Sequence, residues 1–370
     1  MGEAPENLVA HDVQDRSRCV HELDGGDAPR AARGGVRAGS DRAARAHGVH
    51  GGGPVSARLR GIARETERIL TAGGYRASDG REVSLAAAVE AARAGTRTRG
   101  PGPVDVPAAP PVDLRVEVTG ESSLEAARRL AVASAEPAAA GNPVAGEAPV
   151  GGRAPVAGRA PVAGGAPVAG GEAVAVLNFA SARNPGGGFL NGAQAQEEAL
   201  CRASALYTCL LEARGFYDHH RAHRDPFYTD RVIHSPAVPV FRDDRGRLLD
   251  APYTVGFLTA AAPNAGVVLR TAPQRAGELP RALSARAERV LETAAAHGYR
   301  RLVLGAWGCG VFRNDPAQVA EAFRALLAAG GRFEHSFAHV VFGVLDRTPG
   351  GTVRAAFGHA FDRAGAQVQP

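Results

Sequence analysis

Lysine is absent from the 370 residues, so all 43 side chains of the Lys and Arg class are arginine. That excludes a Schiff-base lysine, a Walker lysine closing a phosphate loop and a Ser-Lys nucleophile pair. Cysteine is scarce as well. Cys19, Cys201, Cys209 and Cys309 are too few and too scattered for a disulfide framework or a Cys-x-x-Cys metal site. Inert thiols in a reducing cytoplasm are the expectation. No run approaches the ~20 apolar residues of a membrane helix. The first residues, MGEAPENLVAHDVQDRSR, lack the basic start and apolar core of a signal peptide. What the chain has in quantity is glycine, 47 residues, and proline, 25, with a formal charge of +5. Arginine is spread over every segment, which favours a bias of composition over a dedicated polyanion-binding face.

Residues 1–55 alternate charge with Gly and Ala without an apolar period and read as disordered. Over 56–96 a helical accessory region is expected. Leu59, Ile62, Thr66, Ile69 and Leu70 fall at helical spacing, and a second helix spans about 84–94 with Ser84 as its cap. Residues 97–111, RTRGPGPVDVPAAPP, read as a Pro-rich linker. The segment 112–365 is read as one α/β domain. It opens with a strand at 114–118 and a short helix begun by Ser122. It is interrupted at 136–171 by a Pro/Gly/Ala hexad repeat that lacks the side chains to build a core. Strands are predicted at 173–179, 231–234, 254–259, 301–306 and 338–345, with helices at about 195–213, 279–297, 316–329 and 352–364. Buried strands alternating with helices indicate a mostly parallel or mixed sheet covered on both faces.

In such sheets ligands bind where loops leave the carboxyl ends of strands. Two loops qualify. The first, FASARNPGGGFLNGAQAQEEAL, carries Gly186, Gly187 and Gly188, followed by Gln196, Glu197 and Glu198 opening a helix. The second, GAWGCGVFRNDP, carries Gly305, Gly308 and Gly310, and Asp315-Pro316 starts the next helix. Closely spaced glycines let backbone N–H groups face an anion.

The run Asn184-Pro185-Gly186-Gly187-Gly188 with Gln196-Glu197-Glu198 resembles the GGG…QEE signature of poly(ADP-ribose) glycohydrolases, whose catalytic domain is a macrodomain. VLNFASARNPGGGFLNGAQAQEEALCRASALY, YTDRVIHSPAVPVFRDD, TAAAPNAG and GAWGCGVFRNDP are similar to the microbial type, as is the N-terminal helical pair. The resemblance implies a macrodomain-like mixed sheet sandwiched by helices, with a small helical appendage. It implies hydrolysis of the ribose–ribose O-glycosidic bond of poly(ADP-ribose), releasing ADP-ribose from the chain terminus. Glu198 would be the general acid and Glu197 would hold ribose hydroxyls, with Gln196 positioning the pair at the substrate. Gly186, Gly187 and Gly188 would contact the distal ADP-ribose. Gly308, Cys309, Gly310, Val311 and Phe312 would wrap its diphosphate, and Asn178 and Asn184 would be further polar contacts. No cofactor is implied. The partner is the polymer or an ADP-ribosylated protein, with neither a membrane nor a specific nucleic-acid sequence. A mono-ADP-ribosyl hydrolase and a non-catalytic ADP-ribose reader are the alternatives.

Elementary geometry accommodates one acid and one ribose-holder better than an acid and a nucleophile. Adjacent helical residues point about 100° apart, so Glu197 and Glu198 do not flank one sugar. Burial and a neighbouring carboxylate would raise the acid's pKa, while the helix N-terminus and Arg202 would oppose this. His219, His220 and His223 lie in an expected loop without a fourth ligand and do not make a zinc site. Cys201 and Cys209 read as core residues on one helix. Trp307 fits either a base-stacking platform or a packing residue, and 242–245 a hairpin turn.

Overall fold

Along residues 174–177 the side chains are Val, Ala, Val and Leu, and all four are buried. Val174 and Val176 enter one apolar cluster, Ala175 and Leu177 another. Apolar residues on both sides of a period-two strand place it at the centre of a covered sheet. The structure, a computed structural model, describes residues 54–133 and 173–362. The readings made for 1–53, for the hexad repeat and for the last helix beyond 362 lie outside these residues.

In chain order, α1 (Pro54–Ala72) leads to a hairpin of β1 (Gly74–Arg76) and β2 (Glu82–Ser84). Then come α2 (Ala86–Gly95), β3 (Arg97–Arg99), β4 (Arg115–Thr119) and α3 (Ser123–Ala133). The second described stretch begins with β5 (Val174–Phe179), α4 (Gln196–Ala203), α5 (Leu206–Glu212) and α6 (Arg214–Ala222). The hairpin of β6 (Val232–Arg242) and β7 (Leu248–Ala260) follows, and then α7 (Ala265–Thr271) and α8 (Leu279–Ala296). Last are β8 (Arg301–Leu304), α9 (Pro316–Leu327), β9 (His339–Gly343) and α10 (Thr352–Asp362).

Seven strands form one mixed sheet in the order β3-β6-β7-β5-β8-β9-β4. β4, β9, β8, β5 and β7 run parallel, whereas β6 is antiparallel to β7 and β3 antiparallel to β6. Apolar residues of α1 to α6 cover one face and those of α8, α9 and α10 the other. Ala63, Ile69, Val83 and Val89 share a cluster with Val176 and Phe257, so the N-terminal helices belong to the main core.

Several local expectations are revised. The helix expected over 195–213 is divided, because Ser204 is extended and bridges Val240. Its hydroxyl then accepts from Leu206 N at 3.2 Å, opening α5. Cys201 and Cys209 are both buried, but on these two separate helices. The loop expected around His219 is the end of α6, whose Phe216, Tyr217 and His220 are buried. The strand expected at 231–234 continues to Arg242. Its register shifts between Ser235 and Val238, where Pro236 cannot donate to a ladder and Ala237 takes φ 45°. Arg242 ends this strand buried against Glu65 of α1, and the turn after it is the expected hairpin. Ser84 lies in β2 and does not cap α2, whose N-cap position is Leu85. Residues 97–99 pair with β6 rather than forming linker. Beyond them, Val104 N donates to Glu292 Oε2 at 3.0 Å and Val112 N to His335 O at 3.0 Å, so the Pro-rich stretch is tied down. Ser122 and Glu125 form the reciprocal cap of α3: Glu125 N donates to Ser122 Oγ at 3.0 Å, and Ser122 N to Glu125 Oε2 at 2.9 Å. Among the described residues no helix is long and apolar enough to cross a membrane.

Candidate active site

β7, β5 and β8 are neighbours with a common direction, so the loops that leave them open on one edge of the sheet. The loop after β5 returns as α4, and Gln196 fixes where that helix starts. Its Oε1 accepts from Phe179 N at 2.9 Å, while Nε2 donates to Leu177 O at 2.7 Å and to Ser123 Oγ at 3.1 Å. β8 pairs with β5 only as far as Val176. The Gln196 amide therefore completes the hydrogen bonding of β5 where its neighbour strand has ended. Both of its donor hydrogens are engaged within the fold, so Gln196 anchors the start of α4 to β5 and α3.

Glu197 and Glu198 occupy the first turn of α4, and both are buried. Glu197 Oε2 accepts from Ser181 N at 2.6 Å, and its Oε1 from Asn178 Nδ2 at 3.3 Å. Asn178 Nδ2 also donates to Thr259 Oγ1 at 3.1 Å. Asn178 and Thr259 are opposed in the β5–β7 register and both are fully enclosed. Asn178 thus stands behind Glu197. Burial pushes the Glu197 carboxyl up to about 8; the Glu198 charge adds to this, against the Ser181 and Asn178 hydrogen bonds. Glu198 Oε1 accepts from Gly188 N at 2.8 Å and Oε2 from Ala195 N at 3.1 Å, the second being the N3-to-cap bond of the helix. Arg202, one turn on, is also buried, and its Nη1 donates to Ala193 O at 2.8 Å.

The three glycines are required here for conformation and for space. Gly186 and Gly187 have φ of 66° and 57°, and a Cβ at Gly187 would collide with Glu198 Oε1. Asn184 contributes its carbonyl, which accepts from Gly187 N at 3.0 Å and turns the loop; its side chain is exposed.

The loop after β8 is tied to the loop after β7. Asn314 Nδ2 donates to Pro263 O at 2.8 Å and to Gly308 O at 3.2 Å, and Gly266 N donates to Phe312 O at 2.9 Å. Gly308 has φ 73°, and a Cβ there would stand 2.5 Å from that of Ala262. Asp315 caps α9 through Ala317 N, with Pro316 in the first turn, as read from the sequence. Cys309 is half-buried, Gly310 has open space around it, and Val311 is 81% exposed at the tip. The Phe312 ring lies 5.8 Å from that of Tyr228, which lies 5.7 Å from His220. Trp307 settles as a packing residue: it is enclosed, and its Nε1 donates to Ala260 O at 3.0 Å. His220 is enclosed as well, with Nε2 2.8 Å from Thr229 Oγ1, while His219 and His223 stack at 4.1 Å.

Ser181, Thr259 and Tyr228 were not singled out from the sequence. Ser181 acts through its backbone N–H, which leaves no side-chain signal. Thr259 could have been found only from the β5–β7 register.

Comparison with known proteins identifies a family for the chain. Residues 63–243 match the model of the microbial-type PARG catalytic domain. A glutamate-to-alanine variant of poly(ADP-ribose) glycohydrolase from Thermomonospora curvata is 45% identical, over 82% of this chain and 100% of that one, with a TM-score of 0.68. The T. curvata enzyme bound to the inhibitor ADP-HPD is 46% identical, over 82% of this chain and 99% of that one, with a TM-score of 0.66. The Deinococcus radiodurans enzyme in complex with ADP-ribose is 39% identical, over 76% of this chain and 99% of that one, with a TM-score of 0.60. No curated protein matches the chain at comparable stringency. With GGG and QEE brought into contact, and similarity that spans the whole of these solved structures, the chain belongs to the microbial-type poly(ADP-ribose) glycohydrolases.

Proposed function

We propose that this chain hydrolyses the ribose–ribose O-glycosidic bond of poly(ADP-ribose), releasing ADP-ribose from the end of the polymer. The observation that carries the reading is the carboxyl pair on the first turn of α4. Glu198 is held from the glycine loop by Gly188 N–H, and Glu197 from the same loop by Ser181 N–H. Related solved enzymes hold ADP-ribose or ADP-HPD, which supports the same substrate class.

In this mechanism Glu198 gives its proton to the leaving oxygen as the glycosidic bond breaks. The sugar becomes oxocarbenium-like, stabilised by its own nearby diphosphate, and the resulting carboxylate then takes a proton from the attacking water. Glu197, protonated while its carboxyl stays buried, donates to or accepts from a ribose hydroxyl and fixes the sugar. The glycines of the two loops offer N–H groups to the distal ribose and the diphosphate, which takes the place of lysine in anion binding. A reader of ADP-ribose has no use for a proton donor beside the sugar.

Product analysis tests the assignment. Labelled polymer and mono-ADP-ribosylated protein are each incubated with the protein, and the products are separated by chromatography. Release of ADP-ribose from the polymer is expected. Release only from the mono-ADP-ribosylated protein, or from neither, overturns it.

A further inference from the structure

Among the described residues only three other than glycine have positive φ: Tyr228 at 58°, Ala237 at 45° and Arg313 at 58°. Ala237 belongs to the register shift of β6. The other two bracket one ring contact, because Tyr228 packs on Phe312 and Arg313 directly follows it. A bulky side chain in the left-handed region is costly and persists only where its surroundings fix it. Those of Tyr228 do so. Tyr228 N donates to Asp225 O at 3.1 Å, and Phe227 N to Asp225 Oδ1 at 2.9 Å. Asp225 is paired with Arg275 and Asp230 with Arg286, and Asn264 N donates to Pro226 O at 2.8 Å.

With this backbone, two neighbouring rings go to different places. Phe227 enters a small apolar cluster with Ala265, Val268 and Leu279. Tyr228 packs instead against the core on one face of the sheet, while Phe312 packs against the core on the other. Their contact therefore joins the two faces at the edge where the ligand loops open. Behind Tyr228 the rings continue: it lies 5.7 Å from His220, which lies 4.6 Å from Phe216. His220 and Phe216 are enclosed, and His220 Nε2 is 2.8 Å from Thr229 Oγ1, which fixes the ring that Tyr228 rests on. The main chain of the second loop has its own ties. Phe312 O accepts from Gly266 N at 2.9 Å, and Arg313 N donates to Gly310 O at 3.1 Å. Those bonds leave the half-buried Phe312 side chain to packing, and its one ring contact among the described residues is Tyr228.

Resting on the proposed binding of ADP-ribose by the loop after β8, we propose that Tyr228 is a positioning residue for the substrate. Its ring, seated on His220, holds the Phe312 ring in the orientation in which the second loop wraps the distal ADP-ribose. The ring and the left-handed backbone that aims it carry this role, not the hydroxyl.

Three variants of the full chain separate this role from a part in folding. Tyr228→Ala removes the ring and keeps the strained backbone, Tyr228→Gly removes the ring and relieves it, and Tyr228→Phe keeps the ring. The Kd of ADP-ribose is measured by calorimetry, polymer kcat and KM by product release, and Tm by thermal melts. The Ala and Gly variants should both raise Kd and KM by about tenfold, the upper end for an aromatic pair. Their kcat should stay within about threefold, because Glu198 is untouched. Tm should fall less for Gly than for Ala, so equal losses of affinity do not follow stability. Tyr228→Phe should bring Kd back to within about twofold of the wild type. Added to Phe312→Leu, Tyr228→Ala should cost little more, since the ring that it orients is gone. Wild-type Kd in the Ala and Gly variants, or losses that track Tm, overturn the proposal. So do additive effects in the double variant, and a Phe variant as weak as Ala, which would give the role to the hydroxyl. If the wild type binds ADP-ribose and does not cleave polymer, the activity assignment fails, and the Kd values alone still decide the role of Tyr228. A wild type that binds no ADP-ribose overturns the role together with its premise.

Discussion

Gly188 donates its backbone N–H to Glu198 Oε1 at 2.8 Å. The glycine loop thus orients the proposed acid directly, and Gly187 beside it has no room for a side chain. Gly187→Ala combines a left-handed φ of 57° with a Cβ driven into Glu198 Oε1. The backbone cost is about 1–2 kcal/mol, and the collision displaces the carboxylate. Polymer turnover should fall by roughly 100-fold, since displacing a catalytic group by about 1 Å has that order of effect. Circular dichroism should show an intact fold. Turnover near the wild-type rate would mean that the loop does not set the position of Glu198.

Glu198→Gln keeps the size of the side chain and removes the proton donor. Loss of general acid catalysis should lower kcat by about 10²–10⁴. The affinity for ADP-ribose should change little, because the glycine loops are untouched. A variant that cleaves polymer at the wild-type rate would remove Glu198 from the mechanism.

Glu197 couples the site to pH through stability. Its carboxyl rises from 4.5 to about 8, chiefly through burial. A folded-state pKa above the unfolded value means that the fold favours the protonated form. Its contribution is full below pH 4.5 and is lost as pH rises through about 8. The loss is on the order of 5 kcal/mol. Glu197→Gln cannot ionise and escapes it, although weakening the Asn178 contact costs about 1 kcal/mol at every pH. Thermal melts from mildly acidic to mildly alkaline buffer should show the variant gaining on the wild type as pH rises. A Tm difference independent of pH would contradict a buried, proton-holding Glu197.

How much of this was legible depends on how local each determinant is. Strands such as β5 and β8 announce themselves by bulky apolar runs, and GGG followed by QEE marks the site without any structure. α6 was missed because its buried face includes His220, a residue that reads as polar. β6 was cut short because Pro236 and Pro239 argue against a strand unless a bulge receives them. The environment of Glu197 depends on Ser181 N–H and, through Asn178, on a threonine from another strand. Neither a backbone donor nor a strand register is written in residue spacing. The arginines were equally opaque. Their distribution along the chain is even, and only the fold separates those facing carboxylates from those facing solvent.

Gln196 provides the sharpest separation of positioning from binding. Glu at this position retains an acceptor for Phe179 N, but it turns a carboxylate oxygen toward Leu177 O and Ser123 Oγ, where Gln196 donates at 2.7 and 3.1 Å. The Ser123 hydroxyl can turn to donate to the carboxylate, but the bond to Leu177 O is lost, and that carbonyl faces a second acceptor in a half-buried site. The expected cost of Gln196→Glu is about 1–3 kcal/mol, read as a lowered Tm. Ser123→Ala removes only the bond at 3.1 Å and should cost about 1 kcal/mol or less. Catalysis should follow the same order, because α4 carries both glutamates and its start is what Gln196 anchors. In both variants kcat should fall while the Kd of ADP-ribose moves less, as a displaced acid dictates. A residue that touched the ligand would give the opposite split, with Kd lost first and Tm preserved.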